Sequence, residues 1–332
     1  MIHDLPGGGW FEIREGSAHD SLPDAAGRCL LAGCHRNDVA TGIRTGNSLR
    51  LVPLDAVTVA GDVADTILLE QIFVEQGIAA IMHFAGSVVV PDSVENPLGY
   101  YENNTVKSRA LIEAAVKGGV EHFIFSSTAA TYGVPESSPI SEDSPKSPIN
   151  PYGWSKLFVE QILKDCASSY PNFGFIGLRY FNVAGCSKDG AVGEDHNPET
   201  HLIPNCLRTA LGQQSHITVL GNDYPTPDGT CIRDYIHVED ICSAHLLALN
   251  ALTTQSSRFY NVGLGQGFSV QEVISTSEKV TGCPIPVDIQ TRRNQGARVI
   301  SDIVTISMDE LETVVYADIA ERQPAQVGYD PY

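Results

Sequence analysis

From about residue 56, short apolar runs alternate with longer amphipathic segments, and this alternation limits the folds that the chain can adopt. The runs "AVTVAGDV", "IAAIMHFAG", "VEHFIFSSTAATYG" and "FGFIGLRYFNVAG" predict strands, and helix-period segments separate them. Such alternation is typical of parallel βαβ units. The sequence therefore predicts an α/β fold with a doubly wound parallel sheet, in which ligands bind at the carboxyl ends of the strands.

After about residue 186 the chain changes to loops rich in Gly, Pro, His and Asp between shorter elements. This change predicts a smaller C-terminal lobe over residues 186–332, after a first domain over residues 1–185. Two helices are well marked in the lobe. One follows Asp240, and the other follows Ser269, which has capping-box spacing with Glu272.

The charge balance restricts the partners of the chain. Among its 332 residues, 21 Lys and Arg oppose 40 Asp and Glu, and the formal net charge is −19. Such a surface repels phosphate backbones and anionic membranes, so we expect no nucleic-acid partner. No apolar run approaches the ~20 residues that cross a bilayer, and the first residues lack a basic stretch before an apolar core. We expect a cytoplasmic protein without membrane contact.

The eight cysteines are scattered, with no Cys-x-x-Cys pair and no Cys/His cluster at zinc spacing. This distribution predicts reduced thiols and no metal site.

The stretch "NPYGWSK" places Tyr152 and Lys156 four residues apart, on one face of a predicted helix. A nearby ammonium favours the phenolate, so Lys156 is expected to lower the pKa of Tyr152 toward neutral pH. Alone, this spacing also arises by chance on amphipathic helices. The preceding strand ends in "FSSTAATYG", where Thr128 offers a hydroxyl to the same substrate oxygen. Together the three side chains suit proton removal from an alcohol as hydride leaves.

Several further motifs accompany these residues: "GDVAD", "IMHFAGS", "PLGYYENN", "FIFSSTAATYG", "NPYGWSK", "LRYFNVAG", "GEDH", "GNDYPTPDGTCIRDYIHVEDI" and "YNVGLGQGFSV". From about residue 54 to about residue 290, the chain resembles the UDP-glucose 4-epimerases of the extended short-chain dehydrogenase/reductase family. The resemblance implies a Rossmann-like dinucleotide-binding domain over 1–185, a nucleotide-sugar lobe over 186–332, NAD as cofactor, a UDP-sugar substrate and a homodimer built through the helices after Pro97 and Pro151.

The resemblance also implies a mechanism, the interconversion of UDP-glucose and UDP-galactose through a 4-keto sugar. Tyr152 would be the acid/base and Thr128 would hold the 4-oxygen. Lys156 would bind the nicotinamide ribose and acidify the tyrosine.

Other site residues follow from the resemblance position by position. On the cofactor side, Asp62 would contact the adenine, and the remaining cofactor contacts would be Val63, Phe84, Ala85, Gly86, Asn103, Ser126 and Phe181. On the substrate side, the contacts would be Asn182, His201, Leu202 and Arg233. Plainer readings remain open for three of them: Asp62 as a helix cap, Phe84 as a core residue and Arg233 as a surface ion pair.

Residues 1–50 depart from the family pattern. The run Gly7-Gly8-Gly9 follows no apolar strand, and neither a Gly-x-x-Gly-x-x-Gly turn nor a following helix is legible. A shift of reading frame is our hypothesis for this segment, and we expect the sheet to lack its first central strand. Val88 replaces a family lysine near the phosphates, and the tail after Arg293 also departs. Two alternatives stay open: an epimerase for another UDP-sugar, and a protein that binds sugar nucleotides without catalysis.

Overall fold

The computed structural model describes residues 9–14, 28–34, 57–135, 138–187, 193–194, 199–252 and 257–292. The strands are β1 Gly9–Arg14, β2 Arg28–Cys34, β3 Val57–Gly61, β4 Ile78–His83, β5 His122–Thr128, β6 Gly174–Tyr180, β7 Asn182–Ala184, β8 Ile217–Leu220, β9 Ile232–His237, β10 Arg258–Val262, β11 Gly267–Ser269 and β12 Val287–Gln290.

The helices are α1 Thr66–Gln76, α2 Val90–Glu95, α3 Pro97–Tyr100, α4 Lys107–Lys117, α5 Pro151–Ser169, α6 Leu202–Ala210, α7 Val238–Ala251 and α8 Val270–Thr281. A π-helical turn, Tyr101–Val106, joins α3 to α4, and the 3₁₀ turn Ala129–Thr131 follows β5. The helix expected after Pro97 is thus present, with a π-turn between its two α-helical parts. The predicted capping box of Ser269 and Glu272 is present at α8.

The largest sheet has seven strands in the order β10-β6-β5-β4-β2-β1-β3. The pairs from β10 to β2 are parallel, whereas β1 is antiparallel to both of its neighbours. The predicted doubly wound α/β class is confirmed, with one reversed strand.

The expectation that the sheet lacks its first central strand is wrong. Strand β2 lies beside β4, in parallel with it, and Ala32 is paired with His83. Leu30 of this strand is completely buried in the core. The run "RCLLAGC" is short, and the search for a glycine-rich turn and a following helix missed it.

The sheet is covered on both faces. One core joins α1, α4 and α5 to the strands, and Phe73, Leu111 and Val159 are representative members from the three helices. The other core places α7 against β4, β5 and β6, through residues such as Ile241, Ile124 and Leu178. Helices on both faces leave the carboxyl ends of the strands as the open edge where side chains of different strands can meet.

A separate small core holds α6, α8, β8 and β12 together, with Cys206, Ile217 and Ile274 among its buried residues. These elements lie within the range of the predicted lobe, residues 186–332. Strand β10 and helix α7, although they follow residue 186, pack with the large sheet. The domain boundary at residue 185 therefore stays a proposal. In it, α7 and β10 would belong to the first domain although they follow the boundary.

Within the described ranges, none of the helices is both long enough and apolar enough to cross a membrane.

Candidate active site

The sequence-predicted catalytic residues meet where β5 ends and α5 begins. Asn150 caps α5 by accepting a hydrogen bond from Gly153 N at 2.8 Å, and Pro151 occupies the first turn. This start brings Tyr152 to the end of β5, where its phenol lies beside the side chain of Thr128. Thr128 Oγ1 also accepts from Ala130 N at 3.2 Å, which fixes the hydroxyl at the strand end.

The phenol of Tyr152 lies in a low-dielectric environment. Burial raises its pKa above the ordinary value of a tyrosine, and the neighbouring Thr128 hydroxyl opposes that rise. A buried phenol is held in its neutral form because desolvation disfavours the charged one. The arrangement makes Tyr152 a proton donor whose phenolate depends on the Thr128 hydroxyl.

Lys156 follows one turn later and is buried. Its Nζ donates to the carbonyl oxygen of Ser126 at 3.0 Å and lies 5.1 Å from the centroid of the Phe125 ring. The expected lowering of the Tyr152 pKa is therefore not what the structure shows. The ammonium is directed at a backbone carbonyl, and burial dominates at the phenol.

The predicted cofactor residues Phe84, Ala85 and Gly86 follow β4 directly and approach Lys156. A Cβ atom on Gly86 would lie 3.1 Å from Lys156 Nζ and 3.3 Å from Asn104 Oδ1. Phe84 packs on His245 with ring centroids 4.7 Å apart, so it also has the core role left open by the sequence. The glycine thus leaves space for a ligand that runs along this strand end.

Asn103 Nδ2 donates to Ser87 Oγ at 3.0 Å. Its neighbour Asn104, which the sequence analysis did not single out, is more deeply buried and makes more contacts. Asn104 Oδ1 accepts from Ser87 N at 2.7 Å, and its Nδ2 donates to Ser87 O at 2.9 Å and to Ser155 Oγ at 3.0 Å. It joins the β4 loop to α5. The signal for it was the paired asparagines inside a helix, where asparagine is unfavourable.

Asp62 lies at the end of β3. Its Oδ1 accepts from Ala64 N at 2.9 Å, and its Oδ2 is 2.6 Å from Lys107 Nζ at the start of α4. It caps the local turn and forms an ion pair, and Val63 beside it is buried in the core. The carboxylate is partly exposed, so it can also reach a ligand.

The predicted substrate residues Asn182 and Arg233 lie on the paired strands β7 and β9. Asn182 Nδ2 donates to the carbonyl of Asp234 at 3.0 Å, which ties the two strands together. Arg233 Nη1 donates to Ile232 O at 2.8 Å.

Phe181 packs near Gly263 and against Tyr132. Asp234 accepts from the backbone of Leu264 and Gly265, at 2.8 and 2.9 Å.

His201 precedes α6, where Leu202 packs against the small core of the lobe. His201 pairs with Glu194 and lies 3.4 Å from Glu199. The three side chains bring their ligand atoms within 4.8 Å of one another, a grouping that the sequence analysis did not foresee. Acidic groups of this kind are common without an ion, and we assign no metal to them.

The residues at the strand ends fit the nicotinamide half of NAD. Ser126 Oγ is buried without a hydrogen-bond partner in the described part of the chain, although the Tyr180 phenol lies beside it. A buried hydroxyl without a partner is costly unless a ligand or water supplies one. The space left by Gly86 adds a route for the ligand. The segment after β2, where a phosphate-binding turn belongs in this fold, falls outside the described residues.

The profile of the NAD dependent epimerase/dehydratase family matches residues 33–263. The chain belongs to this family. The match spans more than half of the chain and contains β4, β5, α5 and β6 with all the predicted catalytic residues. It begins inside β2, at residue 33, which is earlier than the resemblance from about residue 54 suggested.

Three relatives within the family are named as UDP-sugar 4-epimerases. The chain is 46% identical to a UDP-glucose 4-epimerase of Lactobacillus helveticus over 234 residues, which cover 70% of this chain and 71% of the relative. A solved UDP-glucose 4-epimerase of Bifidobacterium longum in complex with NAD+ and UDP is 40% identical, with a TM-score of 0.71 and 77% and 76% of the two chains covered. A UDP-Glc/GlcNAc 4-epimerase of Campylobacter jejuni is 43% identical, with a TM-score of 0.63 and 79% and 83% covered.

Proposed function

We propose that this family member is an NAD-dependent epimerase that interconverts UDP-glucose and UDP-galactose. The observation that carries the proposal is the placement of the Tyr152 phenol beside Thr128, with Lys156 one turn along α5. It lies at the carboxyl ends of a parallel sheet, where ligands bind in this class of fold. Relatives at 40 to 46% identity named as UDP-glucose 4-epimerases support the substrate.

The chain's own groups would handle the proton of the sugar 4-hydroxyl. When bound, NAD would take a hydride from C4 of the sugar and return it to C4. Thr128 would hold the 4-oxygen, and Tyr152 would accept its proton and later give it back. Because burial keeps the phenol neutral, we expect turnover to rise with pH until the phenolate forms.

The cofactor would be held by groups that surround Lys156. Phe84, Ala85 and Gly86 would lie along it, Ser126 would gain a hydrogen-bond partner, and Lys156 would donate to the ribose. Asn182 and Arg233 would bind the diphosphate of the substrate, because Arg forms forked, charge-assisted contacts with phosphate. We also propose substrate contacts at His201 and Leu202. The further proposed cofactor contacts are Asp62, Val63, Asn103 and Phe181.

The test is turnover of UDP-galactose by the purified full-length chain, with and without added NAD. We expect UDP-glucose to form, and acid-denatured protein to release NAD. Folded protein that forms no product under either condition, but binds UDP, would instead support a protein that binds sugar nucleotides without catalysis.

A second substrate class is supported by the Campylobacter jejuni relative, which is named for both glucose and N-acetylglucosamine sugars. A panel with UDP-N-acetylglucosamine and UDP-glucuronate separates the alternatives. A higher kcat/KM for either of these than for UDP-glucose would move the proposal to that sugar.

We propose a homodimer that buries exposed aromatic side chains of α5 and of the helix after Pro97. Trp154 and Phe158 are 37% and 43% exposed, and their rings lie 5.6 Å apart. Tyr101 extends the group, 5.9 Å from Phe158. Exposed aromatic groups of this kind mark interaction surfaces. In sedimentation, we expect the chain to be dimeric and Phe158→Glu to be monomeric, whereas Tyr170→Glu, at the opposite end of α5, should leave the dimer intact.

The cytoplasm is the compartment that we propose. Six cysteines after residue 150 are free of disulfides: Cys166, Cys186, Cys206, Cys231, Cys242 and Cys283. Free thiols persist in reducing compartments. Fractionation with a tagged full-length chain tests the assignment.

A further inference from the structure

Glu160 lies on α5 two turns after Tyr152 and one turn after Lys156, so the three side chains share a face of the helix. The Glu160 side chain is completely buried. A carboxylate in such a position is stable only when its lone pairs are satisfied. Its partners therefore define what the residue does.

Arg179 of β6 meets the carboxylate with two parallel hydrogen bonds, Nε to Oε1 at 2.8 Å and Nη2 to Oε2 at 2.7 Å. Ser127 of β5 donates to the same Oε1 at 2.5 Å. Ser127 and Arg179 are register partners in the sheet, and the next pair of partners is Thr128 and Tyr180. One carboxylate on the helix thus joins both strands immediately before the catalytic hydroxyl.

The arginine is fixed from its other side as well. Its Nη1 donates to Tyr132 Oη at 2.7 Å, and that hydroxyl donates to Asn261 Oδ1 at 2.6 Å. Its guanidinium carbon lies 4.7 Å from the centroid of the Phe259 ring. The further charged groups around the pair are Lys146, Lys164 and Glu142. The guanidinium has little freedom to follow a displaced helix.

Stability alone does not explain such a pair. Desolvation of two buried charges offsets most of their attraction, and apolar residues of similar volume often serve the fold as well or better. The directional bonds add a defined spacing between α5 and the two strands. That spacing is the one across which Tyr152 reaches Thr128.

We propose that Glu160 and Arg179 are positioning residues for the epimerisation: through Ser127, they hold α5 at the distance from β5 at which the Tyr152 phenol meets the Thr128 hydroxyl. The inference rests on the proposed function. Misplacement of a reacting group by about 1 Å costs on the order of 100-fold in rate, so a loosened clamp should lower kcat. KM should not change, because Asn182 and Arg233 lie on other strands.

The first test variant is Ser127→Ala, which removes one hydroxyl from the clamp and keeps the ion pair. Its matched control is Ser277→Ala, which removes a buried serine hydroxyl from α8, where Oγ donates to Val273 O at 2.8 Å. We expect Ser127→Ala to lower kcat about tenfold at unchanged KM and the control to keep both values. Equal kcat in the two variants would overturn the proposal.

The second variant, Glu160→Leu/Arg179→Met, replaces the ion pair with apolar side chains. Because neither buried charge is left unpaired, this variant should remain folded. We expect a thermal midpoint near that of the wild type, with kcat still about 100-fold lower. Wild-type kcat in this folded double variant would show that the pair serves the fold only.

A readout without turnover separates this proposal from the proposed function. The tyrosinate absorbance of Tyr152, taken as the difference from Tyr152→Phe in the same background, reports its titration beside Lys156 and Tyr180. The nearby Thr128 hydroxyl favours the phenolate, so Ser127→Ala, which loosens the spacing between α5 and β5, should move the midpoint to higher pH. An unchanged midpoint overturns the positioning role. If the wild type shows no turnover, the proposed function fails, and this titration alone decides the clamp.

Discussion

On one side of β4, strands β5, β6 and β10 all run parallel to it, and the predicted catalytic groups follow their carboxyl ends. On the other side, β1 runs antiparallel between β2 and β3. We call these the parallel flank (β4, β5, β6 and β10) and the reversed flank (β2, β1 and β3). The two flanks would serve different halves of one dinucleotide.

The two flanks differ in strand direction and in the reacting groups that they carry. In the parallel flank, hydrogen bonds across elements fix Tyr152, Thr128 and Lys156 near one another. In the reversed flank, β1 and β2 form an antiparallel pair, whereas the strands of the parallel flank need crossover connections between them.

The largest effect should come from Tyr152→Phe, which removes the proton-transfer group from the parallel flank. We expect kcat to fall by about 1000-fold or more, since general acid–base catalysis contributes typically 10²–10⁴-fold. Steady-state turnover of UDP-galactose measures it. The control is Tyr170→Phe at the exposed end of the same helix. A Tyr152→Phe enzyme within tenfold of the wild type would remove Tyr152 from the mechanism.

Leu30→Ala tests whether the reversed flank belongs to the core. Leu30 is completely buried among residues of α1, α4 and α5, and such a truncation costs about 2 to 5 kcal/mol of unfolding free energy. Chemical denaturation measures the loss. Leu264→Ala, at a residue that is 58% exposed, should cost little. If the two variants lose the same amount, β2 does not pack as described.

Acid should destabilise the fold through two buried histidines, His83 at the end of β4 and His245 on α7. Burial lowers the pKa of His83 to about 3 and that of His245 to about 4, below the value near 6.5 of the unfolded chain. Between these limits the unfolded state binds more protons, so stability falls as the pH falls. We expect a slope of about 1.4 kcal/mol per pH unit for each histidine below about pH 6.

Denaturation curves at a series of pH values measure this slope. His245→Gln, which can still contact the Ile241 carbonyl at the place where His245 Nδ1 lies 2.7 Å from it, should make the slope shallower. An exposed histidine variant, His216→Gln, serves as the control. A slope that is unchanged in His245→Gln would show that this ring does not bind the proton on unfolding.

The smallest effect is expected at Asp62, where the reversed flank meets α4. Asp62→Asn removes the ion pair with Lys107 and the proposed adenine contact, and we expect the Kd for NAD to rise about tenfold. Titration calorimetry measures it. Glu113→Gln, which breaks exposed ion pairs on α4, is the control. An unchanged Kd would leave Asp62 with only its capping role.

The sequence predicted β3, β4, β5 and β6 because their signals are local. Apolar runs, Pro151 after Asn150 and the spacing of Tyr152 and Lys156 each report on a few neighbouring residues. Strand β2 was missed because its seven residues carry no turn signal, and its place is set by pairing with the distant β4. The same limit hid Glu160, whose partners Ser127 and Arg179 are 33 and 19 residues away. The pKa of Tyr152 depends on burial, which spacing alone does not report.

The π-turn between α3 and α4 sets the rotation of one helix relative to the other. It places Asn104 in the interior, and α4 beyond it is anchored by completely buried residues such as Leu111. Since each α-helical residue adds about 100° of rotation, deleting one residue from the turn would rotate α3 about its axis while α4 stays in place. Tyr100, whose hydroxyl now donates to Val89 O at 2.6 Å, would swing with it. Inserting or deleting a single residue in this turn would therefore reorient Tyr100 and the loop at Val89 and leave the sheet unchanged.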